Sequence, residues 1–179
     1  VSLDTETFPL LFKAMVRPYL EYAGTVWSPY RKKLVKLIED VQRRATKLLP
    51  GMAEKLYSQR LKELKLPTLL YRRCRGDMIE VYKIMSEKYD AALPKFIKPH
   101  RGIYNTRGHS LKLEHQRFKK DIRKYFFGNR VTTMWNDLPE DVVTAKTVQS
   151  FESRLDKFWS EQDFKYDWEA HYRTSDNNY

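Results

Sequence analysis

The chain has 179 residues, 41% of them hydrophobic, and carries a formal net charge of +11 at pH 7. That hydrophobic content suffices for a packed core, so disorder throughout the chain is excluded. No apolar run reaches the roughly 18 residues of a membrane span, and the single cysteine, Cys74, excludes an internal disulfide. We expect one domain or two small ones, without a membrane partner, in a reducing intracellular compartment, nuclear or cytoplasmic. The start at Val1 suggests a piece of a longer protein.

The positive charge is concentrated in the middle of the chain. Residues 31–130 hold 27 basic and 10 acidic side chains, whereas residues 131–179 hold 5 basic and 10 acidic ones. A block of this charge repels itself unless a polyanion is near. Nucleic acid is the favoured partner, with an ordinary solvated surface and an anionic membrane surface as the alternatives.

The first predicted element is an aromatic-lined helix over residues 8–27. Its apolar side chains recur at spacings of three and four, which is typical of one helix face. Pro18 lies inside this pattern and lacks a backbone donor, so we expect a kink or a break near Arg17. The apolar residues of this face are Phe8, Leu11, Phe12, Met15, Val16, Tyr19, Leu20, Ala23 and Trp27.

A second helix is predicted to start at Ser28-Pro29 and to stop at Pro50-Gly51. Its outer face is strongly basic. A shorter helix is predicted over residues 58–64. The side chains expected to line the buried face of the second helix are Leu34, Leu37, Ile38, Val41, Ala45 and Leu48.

Thr68 is a predicted cap for a third long helix that reaches Met85, with three arginines in its first turns. An ordered loop follows, and the alternating pattern further on allows a short β-hairpin near residues 104–124. Two more helices are predicted, over residues 131–138 and after a capping Thr147. The predicted fold class is therefore mainly α.

The sequence lacks the usual signatures of a self-contained enzyme. It has no glycine-rich phosphate loop and no adjacent Asp-Asp pair for a two-metal centre. None of the four histidines shows metal-ligand spacing. We therefore expect no catalytic residue, no metal and no cofactor in this chain.

Six stretches, kept in order over roughly residues 8–160, resemble LINE-type, non-LTR retrotransposon reverse transcriptases of the jockey-like kind. Each is weak alone, but the ordered set is specific. The stretches are FKAMVRPYLEYAGTVWSP, LIEDVQRRATKLLPG, RLKELKLPTLLYRRCRGDMIEVYKIM, NTRGHSLKL, RFKKDIRKYFFGNRV and WNDLPEDVVTAKTVQSFESRLDKF.

The resemblance implies a position after the fingers and palm of a larger RNA-directed DNA polymerase. Residues 1–66 would be thumb-like helices, residues 67–160 a carboxy-terminal helical domain, and residues 161–179 an acidic, frayed tail. The family's catalytic Asp-Asp motif and its Mg²⁺ belong to the upstream domains, which would be a partner of this segment. This chain alone is not expected to polymerise.

The candidate contacts are basic side chains that would hold RNA, an RNA–DNA hybrid or DNA by its phosphates. The alternatives are a solvated helix face for the helical arginines and lysines, and a conformational turn around Gly108. Tyr125 and Phe126 are candidates for stacking on bases, or core residues. The predicted contacts are Arg43, Arg44, Lys47, Arg72, Arg73, Arg75, Arg107, His109, Lys119, Lys120, Arg123, Lys124 and Arg130.

Two functions remain open at the sequence level. The first is a nucleic-acid-binding thumb and carboxy-terminal segment of such a reverse transcriptase. The alternative is a domesticated host module that uses the same helices to bind a protein and has lost nucleic-acid binding. Clustered cations favour the first function, and cations interrupted by acidic neighbours favour the second.

Overall fold

The structure is a computed structural model that describes residues 4–86, 89, 96–100 and 108–174. Within these residues the fold is helical, which confirms the mainly α prediction. A π-helical segment spans Phe12–Val16, and a 3₁₀ turn spans Asp163–Lys165. The α-helices are α1 (Thr7–Leu11), α2 (Arg17–Glu21), α3 (Lys32–Lys47), α4 (Tyr57–Glu63), α5 (Leu69–Met85), α6 (Asp121–Lys124), α7 (Phe127–Arg130), α8 (Thr132–Asn136), α9 (Glu140–Val143) and α10 (Val148–Phe158).

The amino-terminal helical run changes its winding just before Pro18. In the π segment the N–H of Arg17 bonds to the carbonyl of Phe12, five residues back, and α2 then begins at Arg17. Proline offers no N–H and its ring crowds the carbonyl of the preceding turn, so the ordinary α ladder cannot run through Pro18. The predicted break near Arg17 coincides with the start of α2.

Two of the predicted caps are present. Thr68 Oγ1 accepts the N–H of Tyr71 at 3.0 Å at the start of α5, and Thr147 Oγ1 accepts the N–H of Ser150 at 3.1 Å at the start of α10. The predicted start at Ser28-Pro29 is wrong, because α3 begins at Lys32 after an extended Arg31.

The chain divides into two compact units. The first contains Val1–Gly24, Pro29–Arg73 and Gln162–Tyr172, and the second contains Thr25–Ser28, Cys74–Glu161 and Arg173–Tyr179. The boundary falls inside α5, between Arg73 and Cys74. These bounds differ from the predicted division at residues 66 and 160, because the segment after Gln162 packs with residues much earlier in the chain.

The first unit has an apolar core formed by α1, the π segment, the turn after α3, and α4. Its side chains are Phe8, Phe12, Leu49, Met52, Leu61, Leu64 and Leu66. Phe164 is also buried, and its ring centroid lies 5.2 Å from that of Tyr71. Thr68 donates its N–H to the Lys165 carbonyl at 2.9 Å and its hydroxyl to the Phe164 carbonyl at 2.8 Å. The segment around Phe164, predicted to be frayed, is therefore packed.

The core of the second unit is aromatic. Tyr82 of α5 stacks on Phe151 of α10 with ring centroids 4.3 Å apart, and its hydroxyl donates to the Ala145 carbonyl at 2.6 Å. Trp135 and Trp159 are fully buried. Trp135 Nε1 donates to the Leu111 carbonyl at 2.7 Å, which fixes the preceding loop on α8.

The predicted hairpin does not form within residues 108–124. Residues 112–114 pair instead with residues 98–100, through an isolated bridge between Pro99 and Leu113. The N–H of His100 donates to the Lys112 carbonyl at 2.7 Å, and the N–H of Glu114 donates to the Lys98 carbonyl at 2.8 Å. The first part of the predicted hairpin, residues 104–107, lies outside the described residues.

Helix α3 buries a different face from the one that its apolar pattern predicts. Glu39, Gln42 and Thr46 are fully buried, whereas Leu37 is 56% exposed and Leu48 is 86% exposed. The polar side chains find partners: Gln42 Nε2 donates to the Tyr57 hydroxyl and to the Pro67 carbonyl, both at 3.1 Å. These hydrogen bonds offset much of the cost of burying polar groups, although Gln42 Oε1 is buried without a partner. The apolar stripe of α3 therefore faces away from the core of the first unit.

Candidate nucleic-acid interface

The basic side of α3 is a strip of the helix surface that carries six cations and one carboxylate, Asp40. At 100° per residue, the cations of α3 occupy an arc next to the exposed apolar stripe and opposite Ile38 and Ala45. Among the described residues, these cations form no ion pair except for Arg43, whose Nε lies 3.5 Å from Asp40 Oδ1. The cations of this face are Lys32, Lys33, Lys36, Arg43, Arg44 and Lys47.

Two predicted phosphate contacts, Arg72 and Arg73, are engaged within the first unit. Arg72 Nε and Nη2 donate to the two carboxylate oxygens of Glu21, each at 2.9 Å. Arg73 is buried and donates through Nη2 to the Leu20 carbonyl. Both guanidinium groups bind the end of α2 to the start of α5, so their geometry favours a structural role over a phosphate contact.

Arg75 has the same kind of role in the second unit. Its Nε and Nη2 donate to Asp156 at 2.6 and 2.9 Å, and Nη2 also reaches Glu152 at 3.2 Å. The hydrogen bond to Asp156, more than any other contact, raises the pKa of Arg75. The pairing neutralises its charge and joins α5 to α10.

Arg130 forms a bidentate ion pair with Asp77. Its Nε and Nη2 donate to Asp77 Oδ2 and Oδ1 at 2.8 and 2.9 Å, and Nη2 also donates to the Thr25 carbonyl at 3.1 Å. Both side chains are largely buried. An arginine enclosed in this way positions α7 and is poorly placed to meet a phosphate.

In the structure, the turn around His109 is held by its backbone conformation and by internal hydrogen bonds. Gly108 has a φ of +101°, a region that side-chain-bearing residues rarely adopt. His109 is buried; its Nδ1 accepts the N–H of Leu111 at 3.1 Å, so its Nε2 carries the proton and donates to the Trp135 carbonyl at 2.8 Å. Both ring nitrogens are thus used internally. Arg107, predicted beside them, lies outside the described residues.

We expect a pH effect on stability from His109. Burial, the main cause, lowers its pKa below the usual 6.5. A lowered pKa in the folded state means that the unfolded chain takes up the proton first, so stability is full above pH 6.5 and is lost as the pH falls through the folded pKa. Thermal unfolding followed by circular dichroism from about pH 8 to about pH 5 should show this loss. In His109→Gln the part of the loss due to this group should vanish; an unchanged pH profile in that variant would contradict the assignment.

The cluster around α6 is the most exposed group of predicted contacts. All four of its cations and the neighbouring Ile122 project into solvent, and Ile122 is 78% exposed. No ion pair with a described carboxylate holds any of the four; Lys124 Nζ instead lies 5.3 Å from the ring centroid of Tyr125. Phe118 and Phe126 are exposed beside them. The four cations are Lys119, Lys120, Arg123 and Lys124.

A cavity of about 530 Å³ lies within the first unit, at the carboxyl end of α3. Its walls come from the last turns of α3, from the start of α4 and from the chain after the 3₁₀ turn. Sequence reasoning predicted Arg43, Arg44 and Lys47 from this wall but missed the others. The alternation of charged and aromatic residues in Lys165-Tyr166-Asp167-Trp168 was the only local sequence pattern that could have indicated these lining residues. The missed cationic and aromatic residues are Lys55, Tyr57, Arg60, Tyr166 and Trp168.

The described residues contain neither a candidate metal site nor a candidate membrane span. Within them, no group of three or more His, Cys, Asp and Glu side chains is arranged to hold a metal ion. None of the helices in the described part of the chain combines the length and apolar character needed to cross a membrane. Comparison of the chain with protein-family models, with curated proteins and with solved structures finds no match.

Proposed function

We propose that this chain binds nucleic acid through its phosphates, as the thumb and carboxy-terminal segment of a LINE-type reverse transcriptase, and that it is not catalytic by itself. The observation that carries the proposal is the division of its cations into two classes. Four of the predicted contacts donate hydrogen bonds to groups of the fold itself: Arg72, Arg73, Arg75 and Arg130. The cations of α3, except for the half-buried Arg43, and those of the α6 cluster stay exposed; apart from Arg43, none has a described carboxylate as a partner.

Exposed lysines and arginines without counter-ions are what a phosphate backbone requires. Each one that neutralises a phosphate releases a condensed counter-ion, which makes the affinity depend steeply on salt. Exposed Phe118 and Phe126 beside the α6 cluster offer rings on which unpaired bases stack. The ligand class is RNA, an RNA–DNA hybrid or DNA, in the nucleus or the cytoplasm, with the upstream polymerase domains as the protein partner.

The test is a fluorescence-anisotropy titration with single-stranded RNA, an RNA–DNA hybrid and duplex DNA at several salt concentrations. Contact with six phosphates gives a slope of log K against log salt of about −5 for duplex DNA. Replacing the four α6-cluster cations, Lys119, Lys120, Arg123 and Lys124, by Ala should weaken binding to all three ligands and reduce the steepness of the slope by about 3 to 4.

A control variant also removes four positive charges, but at positions scattered over the chain. Lys62, Lys98, Lys146 and Lys157 are exposed and lie in neither cationic cluster. Their joint replacement by Ala removes the same net charge, so it should change the slope much less if binding is local to the clusters. Equal effects of the two variants would indicate diffuse attraction instead of an interface.

One observation favours the alternative function, a host protein-interaction module without nucleic-acid binding. The apolar stripe of α3 is exposed at Leu34, Leu37, Val41 and Leu48, and such stripes are typical of surfaces that bind a partner helix. The same titration distinguishes the two functions. Weak, salt-insensitive binding at about 150 mM salt would support the protein module and overturn the phosphate-binding proposal.

A further inference from the structure

The cavity at the carboxyl end of α3 carries an excess of positive charge. Five cationic side chains and two carboxylates, Asp167 and Glu169, line it, and both carboxylates are exposed. Lys55 is neutralised by Glu63, whose Oε2 lies 2.5 Å from its Nζ. The remaining cations of the lining still outnumber the two carboxylates. The cavity therefore suits an anion.

Arg60 contributes a buried positive charge to this lining. It is 4% exposed and makes long hydrogen bonds, of 3.3 to 3.4 Å, to the carbonyls of Met52, Lys55 and Arg43. No described carboxylate forms an ion pair with it, and its Nε has no hydrogen-bond partner. Charges buried in proteins are normally paired. A guanidinium without a counter-ion, beside an open cavity, raises the positive potential inside that cavity.

Arg43 lies close to two aromatic rings that also line the cavity. Its guanidinium carbon lies 5.3 Å from the ring centroid of Tyr57 and 5.7 Å from that of Trp168. Its Nε is buried without a hydrogen bond and lies 3.5 Å from Asp40 Oδ1. The rings fix the direction of the guanidinium, so little side-chain entropy remains to be lost when an anion binds. Trp168 is half-buried, which leaves part of its indole open to a ligand.

We propose that this cavity receives one unpaired nucleotide of single-stranded RNA, with the phosphate at Arg43, Arg44 and Lys47 and the base against Trp168. The inference rests on the proposed function and names its preferred ligand at one site. The volume of about 530 Å³ is within the roughly 300–1,000 Å³ of pockets that hold small organic ligands. Cations beside an aromatic ring match the two chemical parts of a nucleotide, since phosphates need donors and bases need a stacking face.

The test uses the fluorescence of Trp168 in the full chain. Trp135 and Trp159 are fully buried, and Trp27→Phe removes the other exposed indole, so Trp168 reports on the cavity. One probe is a single-stranded oligouridylate of about ten nucleotides, and the second is an abasic strand of equal length and charge. The oligouridylate should quench Trp168, and the abasic strand should bind more weakly and quench much less.

Variants separate the stacking from the charge. Trp168→Leu should weaken binding of the oligouridylate roughly tenfold and leave binding of the abasic strand nearly unchanged, whereas Trp168→Phe keeps a flat ring and should restore most of the affinity. Lys47→Ala should weaken the binding that quenching reports several-fold. Lys62→Ala, an exposed lysine of the same unit that does not line the cavity, is the matched control.

The outcomes are distinct. Base-dependent quenching of Trp168, together with an affinity for the oligouridylate that anisotropy shows to be lowered in Trp168→Leu and restored in Trp168→Phe, supports the inference. RNA binding seen by anisotropy without quenching, or equal affinity for the oligouridylate and the abasic strand, overturns the cavity assignment and leaves phosphate binding in place. No binding of either strand overturns the cavity assignment, and the absence of binding to the RNA–DNA hybrid and duplex DNA as well would overturn both proposals.

Discussion

Replacing Asp77 by Ala is expected to lower the free energy of unfolding by roughly 3–5 kcal/mol, because it leaves the Arg130 guanidinium buried without its carboxylate. The pair is two-pronged, with N–O distances of 2.8 and 2.9 Å, and both side chains are largely enclosed. Arg130 stays desolvated when its partner is removed. The stability lost in Asp77→Ala is therefore larger than the net stabilisation that the ion pair provides. Urea unfolding followed by the fluorescence of buried Trp135 and Trp159 measures this loss.

Two further variants test the physical reason. Glu63→Gln breaks the exposed pair with Lys55 and should cost less than about 1 kcal/mol. The double replacement Asp77→Leu with Arg130→Met exchanges the ion pair for apolar side chains and should recover a large part of the lost stability. If Asp77→Ala cost no more than Glu63→Gln, the pair would have to be regarded as solvated in solution.

Replacing Glu39 by Ala is the second change with a large expected effect. Glu39 is fully buried on α3, where its carboxylate accepts the Tyr57 hydroxyl at 2.6 Å and the N–H of Leu69 at 2.9 Å. Truncation leaves two buried donors without an acceptor, at about 1–3 kcal/mol each. Thr46→Ala on the same buried face removes only a bond to the Arg43 carbonyl three residues back, and it should cost distinctly less. Urea unfolding of the two variants compares the costs.

The charge of Glu39 adds a pH dependence. Burial, the largest influence, raises its pKa above the usual 4.5, although the hydrogen bonds from Tyr57 and Leu69 act in the opposite direction. A carboxyl with a raised pKa in the folded state contributes stability below pH 4.5 that is lost as the pH rises through the folded pKa. Glu39→Gln does not titrate, so it should gain stability relative to the natural chain as the pH rises from about 4 to about 7. A constant difference across that range would contradict the raised pKa.

Some local features of the fold could be predicted from the sequence, although the predicted start of α3 at Ser28-Pro29 was wrong. Thr68 and Thr147 cap helices because a threonine hydroxyl meets an N–H only three residues away. The change of winding before Pro18 follows from the missing N–H of one residue. Such features depend on neighbouring residues, so the sequence pattern contains all the partners involved.

Which arginines form ion pairs and which stay exposed could not be predicted in this way. Arg72, Arg75 and Arg130 look like other cations of the basic block, yet their carboxylate partners stand 51, 81 and 53 residues away along the chain. Which cation stays exposed is decided by tertiary pairing. The density of positive charge in the sequence favoured a polyanion as the partner. Candidate contact residues could be selected only once the structure distinguished ion-paired cations from exposed ones.

The orientation of α3 shows the same limit. The period of its apolar residues predicted a two-faced helix with the apolar stripe buried, whereas the structure buries the polar face. The buried face is decided by acceptors and donors from Tyr57, Pro67 and Leu69, which follow α3 in the chain.

The buried polar face of α3 has a consequence for the uniqueness of the fold. A helix seated on apolar side chains alone tolerates rotation about its axis or a slip by one turn, since dispersion contacts have little directionality. Glu39 and Gln42 are bound at 2.6 to 3.1 Å by groups with fixed directions, so any rotation of α3 breaks several hydrogen bonds at once. Rotational register is thereby locked, and the angular positions of the cations and of the apolar stripe are set with it.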